Sequence, residues 1–197
     1  MIDDNGPALW GRLLEEIGDE HAVVAGGCIR DYELGLPPKD IDIFIVGDRQ
    51  VLSDLVSELN FQRVADLTLL NYQGEYDSYD DPLVGVAEGT LLGVAEGTLL
   101  GVAVNIIANE RMAQGPEYLV EGFDYAVTQG WWRQGMANPC LTYAAREDID
   151  NRTATLLTQR CYERSLRRLD KYNLRNGHIL KLVDPFQRSF SFAPILG

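Results

Sequence analysis

Val23 to Val46 reads VVAGGCIRDYELGLPPKDIDIFIV. Two hydrophobic runs flank a Gly-Gly step, an Arg-Asp pair and a Lys-Asp-Ile-Asp segment. The first run predicts a short strand over Ala22 to Ala25. Cys28 to Leu34 predicts a helical turn or two, ended by Gly35 and Pro37-Pro38. Ile41 to Val46 predicts a second strand that carries the carboxylates. Asp40 and Asp42 lie two apart, and alternate side chains of a strand share a face. Two carboxylates on one face of an apolar strand are costly unless something positive binds there. A divalent cation is the usual partner, and Mg²⁺ takes oxygen ligands and substrate phosphates.

The 197 residues around this stretch suit one domain, or one domain with a small appendage. A hydrophobic content of 46% and a charged content of 24% are ordinary for a soluble globular chain. The net charge of −13 is not, and it argues against non-specific attraction to nucleic acid or anionic lipid. Cys28, Cys140 and Cys161 show no metal-ligand spacing and read as reduced, small hydrophobes in a cytoplasmic setting. The acidic start MIDDNGPALW lacks the basic and apolar regions of a signal peptide. The apolar stretch from Leu83 to Ala108 carries Glu88 and Glu96. A charge near a bilayer centre costs about 3 kcal/mol, so no membrane span is expected.

Further out, Pro7 to Ile17 has helical spacing, with Leu9, Leu13, Leu14 and Ile17 on one face and Gly18 as a stop. Val51 to Leu59 predicts an amphipathic helix with Leu52, Leu55, Val56 and Leu59 inward. Phe61 to Leu70 holds a strand, and Asn71 to Pro82 reads as an acidic, tyrosine-rich loop. GVAEGTLL then occurs twice, at Gly85–Leu92 and Gly93–Leu100, and Gly101-Val-Ala opens a third copy. The eight-residue period predicts a β-meander, and the bland account is a recent duplication without function. VAVNIIA, Val102 to Ala108, is a strong strand. Pro116 to Glu121 predicts a short helix and Phe123 to Val127 a strand. Tyr125, Trp131 and Trp132 read as packing rather than base stacking. Thr158 to Asn173 is a basic helix in an acidic chain, with Cys161, Tyr162, Leu166 and Leu169 as its apolar face. His21 and His178 receive no role.

The run AGGCIRDYELGLPPKDIDIFI resembles the active-site opening of the polymerase-β-like nucleotidyltransferase superfamily. It is most similar to the branch of CCA-adding enzymes and bacterial poly(A) polymerases, and to small phage nucleotidyltransferases. That pattern runs GG-x-x-R-D-x-x-x-G-x(n)-D-x-D, and Gly26, Gly27, Arg30, Asp31, Gly35, Asp40 and Asp42 fill its fixed positions. The likeness is close over about the first fifty residues and loose beyond. It implies an α+β fold: a nucleotidyltransferase core with a small mixed β-sheet backed by helices, over residues 1–145. A short helical C-terminal segment, 146–197, would close the nucleotide cleft.

The resemblance also implies roles. Asp40 and Asp42 would hold two Mg²⁺ ions and serve catalysis. Gly26 and Gly27 would let backbone N–H groups approach a triphosphate beside a helix N-terminus. Arg30 would either fork onto phosphate or pair with Asp31. A third carboxylate belongs on a neighbouring strand, where VAVNIIA offers Asn105 instead; an amide oxygen can ligate but brings no charge. Asp124 is the other candidate, as third ligand, as a contact to the nucleotide sugar, or as neither. Asp148 with Asn151-Arg152-Thr153, followed by Arg164, Arg167, Arg168 and Lys171, resembles the helix that surrounds the incoming nucleotide. The implied activity is transfer of a nucleoside monophosphate, AMP, from an NTP to an acceptor hydroxyl. A tRNA or other RNA 3′ end is the acceptor that the branch implies, whereas the acidic charge suits a protein or small-molecule hydroxyl. The competing expectation is a degraded nucleotide-binding or phage interaction module on the same fold.

Overall fold

The computed structural model of the chain describes residues 6–69, 93–159 and 162–186. Its centre is a seven-stranded mixed sheet in the order β3-β4-β5-β2-β1-β6-β7. The strands are β1 (Val23–Ala25), β2 (Ile41–Ile45), β3 (Ala65–Leu69), β4 (Gly93–Leu99), β5 (Val102–Ala108), β6 (Gly130–Trp132) and β7 (Cys140–Leu141). β2 and β5 run parallel; the other neighbours are antiparallel. The expected α+β class, with helices backing a mixed sheet, is the observed one.

Strand alternation sorts the core into two layers. Ile41, Ile43 and Ile45 of β2 share a face with Val104, Ile106 and Ala108 of β5. That face is covered by α1 (Pro7–Ile17) and α3 (Arg49–Phe61), through Trp10, Leu13, Leu52 and Val56. Each helix ends where its sequence says it must. Gly18 takes the left-handed conformation after α1, and the Asp48 carboxylate caps the first amides of α3. The opposite face holds Val23, Ala25, Phe44 and Ile107 against Met112, Leu119 and Phe123, around a 3₁₀ turn (Glu110–Gln114) and α4 (Pro116–Val120). Asp42 and Asn105 belong to this second face by the same alternation.

The second GVAEGTLL copy forms β4, and the opening of the third begins β5. The two strands are joined by Leu100 and Gly101, both at positive φ, the conformation of a tight hairpin turn. Gly97 is required by close approach: a Cβ there would sit 1.8 Å from the Asp66 carbonyl oxygen of β3. The first copy and the acidic loop from Asn71 lie outside the described residues.

Phe123 to Val127 is not a strand. Tyr125 makes one isolated bridge to Leu156, and the chain then winds into a 3₁₀ turn at Ala126–Thr128. The residues alternate as a strand does, but no neighbouring strand extends the pairing. The Trp pair forms β6, where Trp132 packs against Trp10 with ring centroids 5.8 Å apart. After β7 come α5 (Tyr143–Asn151), β8 (Thr153–Thr155), α6 (Tyr162–Asn176) and β9 (Lys181–Val183). β8 and β9 pair in parallel, and a third apolar cluster joins Ala154, Leu156, Leu169 and Leu180 to Leu34 after α2 (Gly27–Glu33). Of the expected apolar face of α6, Leu169 is buried and Tyr162 and Leu166 are half-buried, while Ser165, Tyr172 and Asn173 complete the buried side. Its docking surface mixes apolar and polar contacts.

Candidate active site

The site grows from the register of β2 and β5. Asp42 lies opposite Asn105 in the parallel pair, and the Asn105 amide donates to Asp42 Oδ1 at 2.8 Å. Asp40, immediately before β2, ion-pairs with Lys39 at 3.0 Å. Burial pushes the Asp42 carboxyl up to about 6, and the Asp40 charge adds to the rise. The Asn105 hydrogen bond, Arg168 and Lys39 pull the other way. Asp42 is thus a carboxylate whose surroundings undersupply positive charge.

Gly26 stands over this carboxylate. It sits at φ +88°, and a Cβ there would lie 3.6 Å from Asp42 Oδ2 and from the Phe123 ring. A side chain would fill the space beside Asp42. The Gly26 N–H bonds the Gly130 carbonyl at 3.0 Å, so that amide serves the sheet. A Cβ on Gly27 would meet the Arg30 guanidinium at 3.4 Å. The buried Cys28 thiol, donating to the Ala25 carbonyl, is pushed up by burial and by the nearby Asp42 charge.

Arg30 and Asp31 pair with each other, with Arg30 Nη2 2.7 Å from Asp31 Oδ1. Asp31 is buried and accepts further bonds from Tyr172 Oη at 2.9 Å and Arg175 Nη2 at 3.3 Å, both on α6. The Arg30 guanidinium lies 3.6 Å over the Tyr172 ring. Asp124 also faces α6: Ser165 Oγ donates to Asp124 Oδ2 at 2.7 Å, and Arg168 Nη1 lies 3.3 Å from the same oxygen. The Arg168 charge also favours the ionised form of Asp42. Arg167 and Lys171 are exposed on α6, and Arg164 is half-buried. Asp148 is buried and accepts from Thr153 Oγ1, Thr155 Oγ1 and the Thr155 amide, tying α5 to β8.

Ser165, Tyr172 and Arg175 were not among the expected site residues. Their signal was present as a polar stripe at spacings of three and four with Arg168. A search for apolar periodicity passes over such a stripe.

The donor set around Asp42 consists of two carboxylates and an amide. Among the described residues no group of three or more His, Cys, Asp or Glu side chains could hold a metal ion. The undercharged Asp42 and the space kept by Gly26 still fit a hard divalent cation that draws its remaining ligands from phosphate and water. Among the described residues, no helix is long and apolar enough to cross a membrane.

No family model matches the sequence, and no curated protein matches it. Solved structures do match the fold. A tRNA-processing enzyme solved with CTP aligns with a TM-score of 0.57 at 16% identity, over 88% of this chain and 42% of its own. The Thermotoga maritima CCA-adding enzyme complexed with tRNA aligns with a TM-score of 0.57 at 14% identity, over 90% of this chain and 38% of its own. A tRNA nucleotidyltransferase with a primer tRNA and an incoming ATP analogue gives 0.54 at 16% identity, over 87% and 46%. The chain thus has the fold seen in solved tRNA nucleotidyltransferases and CCA-adding enzymes, across most of its own length and less than half of theirs.

Proposed function

We propose that this chain is a Mg²⁺-dependent nucleotidyltransferase that moves AMP from ATP to an acceptor hydroxyl at an RNA 3′ end. The observation that carries this is the Asp40–Asp42 pair beside Gly26, with Asn105 and Arg168 around it. The neighbours solved with CTP, with an ATP analogue and with tRNA support the substrate class. Asp40 and Asp42 would hold the ion, which neutralises triphosphate charge and acidifies an attacking hydroxyl when bound. Because Asn105 stands where a third charge would help, this donor set suits one resident ion, with a second arriving on the nucleotide. Arg168 presents a guanidinium to the polyphosphate, and Gly26 leaves the approach to Asp42 open. In the reaction the acceptor oxygen bonds to the α-phosphorus, the bond to the bridging oxygen breaks, and pyrophosphate leaves with release of the hydroxyl proton. The −13 net charge gives RNA no general attraction, so an RNA acceptor would be engaged at its end rather than along its length.

The test is incubation with each labelled NTP, Mg²⁺ and total RNA or cell lysate, with Asp42→Ala as control. Label on RNA that disappears with Asp42→Ala supports the proposal. Label on protein or on a small molecule reassigns the acceptor, and transfer that survives Asp42→Ala removes the site. One observation favours a second reading. The amide of Asn105 in place of a carboxylate suits a module that binds Mg·NTP without turnover, and binding without transfer under every condition would favour it.

A further inference from the structure

The fifteen-residue helix α6 buries little apolar surface. Its buried residues are Ser165, Leu169, Tyr172 and Asn173, and Leu169 is the one aliphatic side chain among them. A helix in water depends mainly on packing of an apolar face; Leu169 and Tyr172 supply a small one against Leu34, Ala154 and Leu156, and polar ties add to it. Near its own ends it is tied by Tyr162 to Asp184 and by Asn173 to the Leu180 backbone, and from distant parts of the chain by two aspartates. Ser165, Arg168, Tyr172 and Arg175 follow one another at spacings of three and four and line one face. The first two meet Asp124 and the last two meet Asp31. At the Asp31 end the contact is the stronger: the carboxylate is buried, pairs with Arg30 at 2.7 Å, and accepts from Tyr172 while Arg30 stacks on that ring.

We propose that Asp31 is a positioning residue: through Tyr172 and Arg175 it fixes the seat of α6, and so sets where Arg168, the guanidinium assigned above to the polyphosphate, stands. This rests on the nucleotide site proposed above. α2 carries Asp31 directly behind the Gly26-Gly27 step, so the segment that opens the site also anchors the helix that closes on it. Arg168 is half-exposed and 3.3 Å from Asp124, which also accepts from Ser165. Losing the Asp31 tie releases α6 about two turns away, and the Arg168 guanidinium loses its fixed place.

The experiment compares wild type, Asp31→Asn, Arg168→Ala and the double variant in the full chain. Hydrogen exchange is followed separately in residues 162–169 and in α3, and Mg·ATP affinity is measured by equilibrium binding. With Asp31→Asn, the amides of 162–169 should exchange about tenfold faster with α3 unchanged. The Kd for Mg·ATP should rise about tenfold, but by less than about twofold when Arg168 is already alanine. Unchanged exchange in 162–169, an equal rise in α3, or additive effects on Kd would each overturn the proposal. If Asp31→Asn does not fold, Tyr172→Phe keeps the ring over Arg30 and removes the hydroxyl; it should move the same readouts about threefold, and no movement overturns the proposal. If wild type binds no Mg·ATP, the nucleotide site itself falls, while the exchange comparison still decides whether Asp31 seats the half of α6 that carries Arg168.

Discussion

Asp31 and Asp42 are eleven residues apart in sequence and sit in opposite electrostatic conditions. Asp31 is 2% exposed and surrounded by donors: two guanidinium groups and a tyrosine hydroxyl. Asp42 accepts from one neutral amide and feels the charge of a second carboxylate, Asp40. Burial of a charge is tolerated when it is paired and hydrogen-bonded, and is otherwise costly. Asp31 satisfies that condition within the protein. Asp42 does not, and its unmet demand is what a cation with a polyphosphate would fill. The contrast separates a carboxylate that assembles the fold from one that, under the proposed function, would take a cation.

The sharpest way to break the contrast is at Asp42. Asp42→Ala should lower nucleotidyl transfer by about a thousandfold or more in the labelled-NTP assay. Asp42→Asn should also abolish transfer and yet stabilise the cation-free chain at pH 7.5 by roughly 1–3 kcal/mol in urea titration, because the cost of a poorly matched charge is removed. Loss of stability on that change would erase the distinction from Asp31. Asp31→Ala should cost about 3–5 kcal/mol in the same titration, since it strands Arg30 and Arg175 beside a buried gap.

A pH series sharpens the comparison further. The Asp42 carboxyl lies near 6 in the folded chain, above its ordinary value of 3.8. The folded chain therefore takes up a proton that the unfolded chain does not, and this site's contribution to stability rises as pH falls from about 6 toward 4. That gain should be absent in Asp42→Asn, and the thermal shift produced by Mg²⁺ should shrink across the same window as Asp42 loses its charge. Asn105→Asp adds a third carboxylate. It should tighten Mg²⁺ about tenfold by calorimetry and destabilise the cation-free chain by about 1–2 kcal/mol. The smallest effect belongs to Lys39, whose pair with Asp40 is 73% exposed on the lysine side. Lys39→Ala should change stability by less than about 0.5 kcal/mol.

Much of the fold was legible from local pattern. Pro7–Ile17 is helical to the residue because its leucines recur at helical spacing and Gly18 stops it. β2 and β5 were legible because each is a short run rich in isoleucine or valine, broken by a single polar residue. Phe123–Val127 misled because alternation alone does not make a strand without a partner to pair with. α5, with few apolar residues, offered little periodicity to read. In the site, Asp40, Asp42 and the glycines stood out through their spacing. Ser165, Tyr172 and Arg175 did not, because their partners lie some 40 to 140 residues away.

By itself, the sequence determined that Asp40 and Asp42 lie two residues apart at an apolar strand, that a glycine step precedes them, and that the run VAVNIIA carries Asn105 and no carboxylate. Those are properties of the chain's order, which no packing can alter. Only the tertiary structure decided that Asn105 falls in register with Asp42, that Arg30 spends its guanidinium on Asp31 and Tyr172, and that Asp124 faces α6. Register, burial and ion pairing between distant segments follow from how the sheet and α6 close on each other, and local propensity carries no record of that closure.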